Sequence, residues 1–352
     1  MPRSDLALRA LTGLTILGLA GCVAPPPTVT VSSLSGLQKA IDRAVAGETI
    51  VIQPGVYAQT RPIVIRNKQQ LTIAGATKHY QDVVLRGPGM DDDRLYTNIR
   101  LDNADNVTIE NLTVRDSYYH GIQITHDSDG FIADHVRALD NGESGFKVTS
   151  PAHGHGPAAY SDHGTIENSV IGFTTAGRRD VVEGVDIVAG NGWHLLGNHF
   201  DHIRRTDGGP AYAAFAKGNA HATVFADNLV ENSFIGLSFG GGGTDPVFFR
   251  NGQTRFETRG GIIRNNLIRD TDDAGIYLNK ARDFLVQGNI VLRNGTGTGA
   301  IEARFPQSHG TIRHNRISSV VKERNAASVH VRGNIKIAPE TMLPNWPFKA
   351  QP

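Results

Sequence analysis

Three polar residues occupy the same place in three similar pentapeptides. They are Gln123 in Gly-Ile-Gln-Ile-Thr (121–125), Lys147 in Gly-Phe-Lys-Val-Thr (145–149) and Asp186 in Gly-Val-Asp-Ile-Val (184–188). An amine beside a carboxylate can abstract a proton if its pKa falls toward neutrality. Such a set could serve an elimination beside a carboxylate, which needs a base for the proton and a cation for the carboxylate. Lys147 is the candidate base, with Lys217 the less favoured one. Burial or a neighbouring arginine would lower the lysine pKa, whereas Asp186 would raise it. Asp186 would orient the lysine or hold sugar hydroxyls. Arg204 is the candidate cation, with Arg178 and Arg304 as alternatives. The bland reading of Lys147 and Asp186 is an exposed ion pair between neighbouring strands.

These pentapeptides belong to a longer series. Ala-Ala-Phe-Ala (213–216), Gly-Leu-Ser-Phe-Gly (236–240), Gly-Ile-Tyr-Leu-Asn (275–279) and Ala-Ile-Glu-Ala-Arg (300–304) continue it. Residues of a strand alternate between its faces. Ile122, Ile124, Phe146, Val148, Val185, Ile187, Ala213, Phe215, Leu237, Phe239, Ile276, Leu278, Ile301 and Ala303 are therefore expected inward. Gln123, Lys147, Asp186, Ala214, Ser238, Tyr277 and Glu302 are expected outward and solvent-facing. A slip of one residue would bury three charges, so the register is well specified. Parallel neighbours lie about 4.8 Å apart, which makes Gln123, Lys147 and Asp186 adjacent and puts Glu302 roughly 19 Å from Asp186. That is beyond the span of about 9.5 Å over which two carboxylates share a glycosidic bond.

The strands must come from coils. Gly-Asn-His-Phe (197–200), Asp-Asn-Leu-Val (227–230), Asn-Asn-Leu-Ile (265–268), Gly-Asn-Ile-Val (288–291) and His-Asn-Arg-Ile (314–317) recur at an approximate repeat. Asn198, Asn228, Asn266, Asn289 and Asn315 are expected to supply a left-handed turn residue in each coil and to bond from coil to coil. The predicted fold is all-β, a single-stranded right-handed parallel β-helix with a short N-terminal capping helix. Gly is 40 of 352 residues, above the usual share of about 7 % and suited to many short turns. Residues 34–58 read as the cap helix and first strand, with a capping box at Ser35-Gly-Leu-Gln38. The coils run over 59–337, and 338–352 read as a tail in which Trp346 and Phe348 are possible plugs.

Inserts flank the polar column: 150–162, 174–183, 204–212 and 241–259. Walls on both sides of a polar strip make a groove suited to an extended sugar chain. His120, Gln123, Glu143, Lys217, Tyr277, Glu302 and Arg304 are the candidate substrate contacts. Two rival readings use the same groove. One is a polysaccharide-binding or scaffold protein without catalysis. The other is a glycoside hydrolase pairing Asp186 with Glu183, Asp180 or Asp207. His153, His155, Asp162 and His163 match no defined metal site and read as a polar loop. Ser238 has no base partner. Gly240–Gly243 lacks the lysine and helix of a phosphate loop. A net charge of +1 gives no reason to expect nucleic-acid binding, and a monomer is expected.

At the N-terminus, Arg3 and Arg9 are followed by a short apolar run and by Leu19-Ala20-Gly21-Cys22. The run is too short to span a bilayer and reads as a secretory segment. The motif resembles the lipobox of bacterial lipoproteins. It implies a signal peptide over 1–21, lipidation of Cys22 and a tether over 22–33. Val23 after the cysteine implies an outer-membrane lipoprotein of the cell envelope, held to the membrane by its lipid.

Tyr119-His120-Gly-Ile-Gln123, Asp140-Asn-Gly-Glu143 with Phe146-Lys147, Gly184-Val-Asp186, Trp193 and Ile301-Glu302-Ala-Arg304-Phe305 together resemble secreted bacterial β-helix proteins of the pectin-lyase-like superfamily. The resemblance covers 105–337. It implies the fold, an acidic polysaccharide as partner, and lyase, epimerase or hydrolase activity, with a lyase preferred. Ala216-Lys217-Gly-Asn resembles the lysine strand of the alginate- and chondroitin-lyase branch. That branch carries an arginine on the following coil, where this chain has Ser238 or Gly240. Calcium is left open as a cofactor, and no acidic cluster of the pectate-lyase kind marks a site.

Overall fold

The computed structural model describes residues 27–149, 159–241 and 243–341. The segment 1–21, Cys22, His153, His155, Trp346 and Phe348 lie outside the described residues. Short strands stack in parallel, coil upon coil. One face is a ten-stranded sheet running from Ile63–Arg66 through His120–Thr125, Ser144–Val148, Glu183–Val188, Tyr212–Lys217, Ile235–Phe239, Ile276–Asn279 and Ile301–Arg304 to Val321–Arg324. The other faces form one connected set of parallel strands.

A helix, Leu34–Arg43, covers the first coil with Leu37 and Ile41, each 1 % exposed. An open coil end would expose unpaired strand edges, and the helix removes that liability. Its cap is Ser33, not Ser35: Ser33 is extended and its Oγ accepts the Gly36 N–H at 3.1 Å. The stretch expected as the end of a tether is also ordered. Thr28–Val31 pairs in parallel with Thr49–Ile52, and its alternating threonine and valine put Val31 against the core. Strand pairing runs on to Ile335–Lys336.

Inside the ten-stranded sheet, Ile99, Ile122, Phe146, Val185, Ala214, Leu237, Ile276 and Ile301 form one inward column. Each is 1 % exposed or less, so the core is continuous from coil to coil. Arg100, Gln123, Lys147, Asp186, Phe215, Ser238, Tyr277, Glu302 and Lys322 form the outward column. One coil departs from the expected register. Ala213 is buried as expected, but Ala214 is inward and Phe215 outward. Ala-Ala-Phe-Ala has no polar residue to set its parity, so pattern alone could not decide it. Phe215 nevertheless loses its contact with water, because the Tyr212 ring stacks on it at 4.7 Å.

A second column breaks the alternation. Gly121, Gly145, Gly184, Gly236 and Gly275 precede the inward residues just named. A Cβ on Gly145 would meet Ile171 at 2.8 Å, one on Gly184 would meet Phe200 at 2.9 Å, and one on Gly236 would meet Ile268 at 3.0 Å. Two consecutive positions thus face the core. The residue before each glycine, including His120, Ser144, Glu183 and Ile235, then shares the outer side with residues three positions on.

The asparagine ladder is present and extends further than the sequence repeat suggested. Asn198 bonds to Asn228, Asn228 to Asn266, Asn266 to Asn289, Asn289 to Asn315 and Asn315 to Asn334, with Nδ2···Oδ1 distances of 2.9–3.1 Å. The left-handed residues are not these asparagines but the ones before them: Gly197, Asp227, Asn265, Gly288, His314 and Gly333. The turn frees each ladder side chain to point inward, where its amide closes backbone groups of two coils. Asn266→Ala would strand the Asn228 donors and the Phe225 carbonyl. We expect it to cost about 3 kcal/mol in a denaturant titration, since buried groups without partners cost about 1–3 kcal/mol each. A midpoint equal to that of the unmodified protein would show that the ladder adds nothing.

Candidate functional site

Gln123, Lys147 and Asp186 stand side by side on successive rungs, as their spacing predicted. The Lys147 ammonium is paired with Asp186 Oδ2 and lies 3.2 Å from Glu143 Oε1. Lys217 Nζ reaches the same Asp186 oxygen at 3.3 Å and lies 4.3 Å above the Phe215 ring. Two ammonium groups therefore converge on one carboxylate. His120 Nδ1 is 3.0 Å from Ser144 Oγ and 3.9 Å from Glu143 Oε1, which places Glu143 between the imidazole and Lys147.

Asp186 is outside the solenoid core yet has no exposure to solvent, contrary to the expectation of a free outer face. Glu302, expected outward in the same column, is also buried, and its Oε1 accepts from Arg324 at 3.0 Å. The flanking segments cover the column. Residues 243–248 form one wall of a cleft of about 350 Å³, lined by Lys147, Thr149, Val188, Lys217, Thr244 and Phe248 among others. The side chains of Lys147 and Lys217 keep 15 % exposure each and form its charged floor.

Burial sets the electrostatics of this site. Alone it would raise the Asp186 carboxyl, but Lys147 and Lys217 outweigh it and hold the group below the usual range. Burial alone would lower the Lys147 ammonium, but Asp186, Glu183 and Glu143 outweigh it and raise the pKa. Glu183 is pushed up to about 8, first by burial and then by the Asp186 charge, against the opposing pull of Lys147 and Lys217. Neither of its carboxyl oxygens has a hydrogen-bond partner, and Asp186 Oδ1 has none. His120 is lowered to about 3, first by burial and then by Lys147, and its imidazole stays neutral.

Several expected site residues serve elsewhere. The Arg204 guanidinium pairs with Asp272 and donates to the Asn232 carbonyl at 2.6 Å, so it ties two coils together and is not free for a substrate carboxylate. Arg179, the neighbour of the candidate Arg178, lies 3.7 Å over the Tyr118 ring and bonds the Met90 and Tyr118 carbonyls. Ser238 donates to the carbonyls of Gly240 and Tyr277. Asp207 is exposed and paired with Arg205. Asp162 is engaged by Arg250. Among the described residues one group of three side chains has metal-ligand spacing, His199, Asp201 and Glu231, and Arg269 is already 2.7 Å from Glu231.

Known proteins place the architecture. Residues 183–338 match the family model described as right handed beta helix region. The chain folds as a right-handed parallel β-helix. No curated protein matches the sequence. Among solved structures, the β-helix is similar to an alginate lyase from Paenibacillus sp. str. FPU-7, at 16 % identity and a TM-score of 0.54, over 88 % of this chain and 95 % of that one. It is also similar to the A-module of the Azotobacter vinelandii mannuronan C-5 epimerase AlgE6, at 14 % identity and 0.56, over 89 % and 97 %. A third neighbour is PfbA, a surface adhesin of Streptococcus pneumoniae, at 14 % identity and 0.56, over 88 % and 92 %. A lyase, an epimerase and an adhesin share this fold, so the fold alone does not choose among them.

Glu183 is the member of the site that strict alternation hid. On that rule it shares the parity of Val185 and would be a core residue or the end of a loop. The signal that brings it to the outer side is Gly184, because a glycine facing the core lets the strand bend without a clash.

Proposed function

We propose that the protein cleaves an acidic, uronate-containing polysaccharide by β-elimination in the cleft above Lys147 and Lys217. The observation that carries this reading is the convergence of the two ammonium groups on Asp186 beneath an open cleft. A uronate carboxylate seated there meets two cations in a partly dry site, where charge stabilisation is strong. Neutralising that carboxylate acidifies the C5 proton. Lys147 is then the electrophilic partner and not the base, because the surrounding carboxylates keep it protonated.

Neutral His120 is the base in this scheme. An entering carboxylate takes up the charge of Lys147, which is one of the two causes of the low His120 pKa, and so strengthens the imidazole as an acceptor. The C5–H electrons form the C4–C5 double bond, the C4–O bond breaks, and the leaving oxygen takes the proton of Glu183. Burial and the Asp186 charge favour the protonated form of Glu183, which is held in the same column as His120. Incubation with alginate, pectate and chondroitin should produce ultraviolet-absorbing unsaturated ends with one of them. Lys217→Ala should lower that rate by at least tenfold. Intact chains from every substrate would remove the reading.

One observation favours a hydrolase instead. Asp186 and Glu183 are two carboxyl groups on one strand whose environments push their pKa values apart, which is how an acid and a charged partner are made from like residues. Reducing ends without unsaturated ends would select that second mechanism.

A further inference from the structure

A second cleft of about 430 Å³ opens on the same ten-stranded sheet, lined by Tyr212, Tyr277, Asn279, Lys280, Glu302 and Arg304 among others. Tyr277 and Glu302 belong to the column of Asp186, and Glu302 is four rungs away, roughly 19 Å at the usual strand spacing. Gly243 borders both clefts, so they adjoin across the same segment. Here too buried acceptors lack donors. Glu302 is 2 % exposed and its Oε2 has no partner, while Asn279 is 4 % exposed and its Oδ1 has none. Tyr277 presents its hydroxyl 3.4 Å from both Arg304 Nη1 and Asn279 Nδ2.

We propose that this cleft is a second saccharide subsite, which takes a sugar unit of the same acidic chain through its hydroxyls and its carboxylate. The unsatisfied oxygens of Glu302 and Asn279 call for hydroxyl donors, since a buried acceptor without one is costly. Lys280, Arg304 and Arg324 outnumber Asp273 and Glu302 around the cleft, which favours a unit that also carries an anion. Tyr212 lines the cleft and is stacked on Phe215, a rigid aromatic surface of the type that packs against a sugar ring. The proposal deepens the reading of an acidic polysaccharide and rests on it. The consequence is a length dependence: only a chain long enough to cross from the lysines to Glu302 gains from the second cleft.

Calorimetric titration with oligogalacturonates and oligoalginates, as trimers and as decamers, tests this. Asn279→Ala and Glu302→Gln should weaken decamer binding about tenfold and leave trimer binding unchanged. Lys217→Ala should weaken both lengths. Asn279→Ala leaves the Glu302–Arg324 pair in place, so its result stands even where Glu302→Gln unfolds the last coils. Decamer affinity unchanged in Asn279→Ala, with Lys217→Ala still defective, overturns the subsite and leaves the parent reading standing. No binding of either length by the unmodified protein, with no unsaturated ends from chondroitin, overturns both.

Discussion

Asp186→Asn should destabilise the protein by about 3–5 kcal/mol, the usual cost of removing one partner from a buried ion pair. The substitution is nearly isosteric, so packing is kept and the loss is electrostatic. It leaves the ammonium groups of Lys147 and Lys217 facing one neutral amide at a position without solvent exposure. Glu143 retains Lys147 at 3.2 Å and offsets part of the loss. From the sequence Asp186 reads as exposed, and its removal would be harmless. The denaturant midpoint followed by circular dichroism separates the two views. A triple variant with Lys147→Met and Lys217→Met added to Asp186→Asn should recover most of the stability, since apolar replacements of a buried charge set are often neutral. An unchanged midpoint in Asp186→Asn alone would show that water reaches the carboxylate freely. In a coiled stack each rung contacts only its neighbours, so the loss should also appear as faster amide exchange around residues 144–148 and 212–217.

The parts of this molecule that the sequence reveals are those set by local period. Ile122, Phe146 and Val185 are apolar where Gln123, Lys147 and Asp186 are polar, and that contrast alone sets three adjacent rungs correctly. The recurring asparagine marks each coil because a buried amide needs a partner one coil away, and only a repeat supplies it. What the sequence hides depends on contacts between distant segments. Arg204 lies in the segment that leads into the Tyr212–Lys217 strand, but the Asp272 that claims it is 68 residues on. Asp186 is sheltered by Lys147 and Lys217 on the neighbouring rungs, so no local pattern reports its burial. Phe215 takes the outward position because Tyr212 and Lys217 shelter it, which a run of alanines around it does not announce. Thr28–Val31 carries a strand pattern that is readable by period two, and its proximity to a proline run made it read as tether.

Stability should depend on pH in two opposed arms that single substitutions separate. Glu183 has a folded-state pKa near 8 against 4.5 in the unfolded chain. Between these values the unfolded state releases a proton that the folded state keeps, so stability is full below about pH 4.5 and falls as pH rises toward 8, by up to about 1.4 kcal/mol per pH unit. His120 runs the other way. Its folded value of about 3 lies below the 6.5 of the free side chain. Stability from that group is full above about pH 6.5 and falls as pH drops toward 3, at the same limiting slope. Many other groups titrate over the whole range, and the informative quantity is therefore the difference between each variant and the unmodified protein. Glu183→Gln should flatten the loss between pH 6.5 and 8, where His120 no longer contributes. His120→Gln should flatten the loss between pH 3 and 4.5, where Glu183 is protonated in both states. The charges that face Glu183 are Asp186, Lys147, Lys217 and Glu143, so salt should shrink its arm little at such burial. A difference curve for Glu183→Gln that is flat from pH 6.5 to 8 would mean that Glu183 is ionised in the folded protein. It would then be no proton donor at neutral pH, and the elimination scheme would lose its acid.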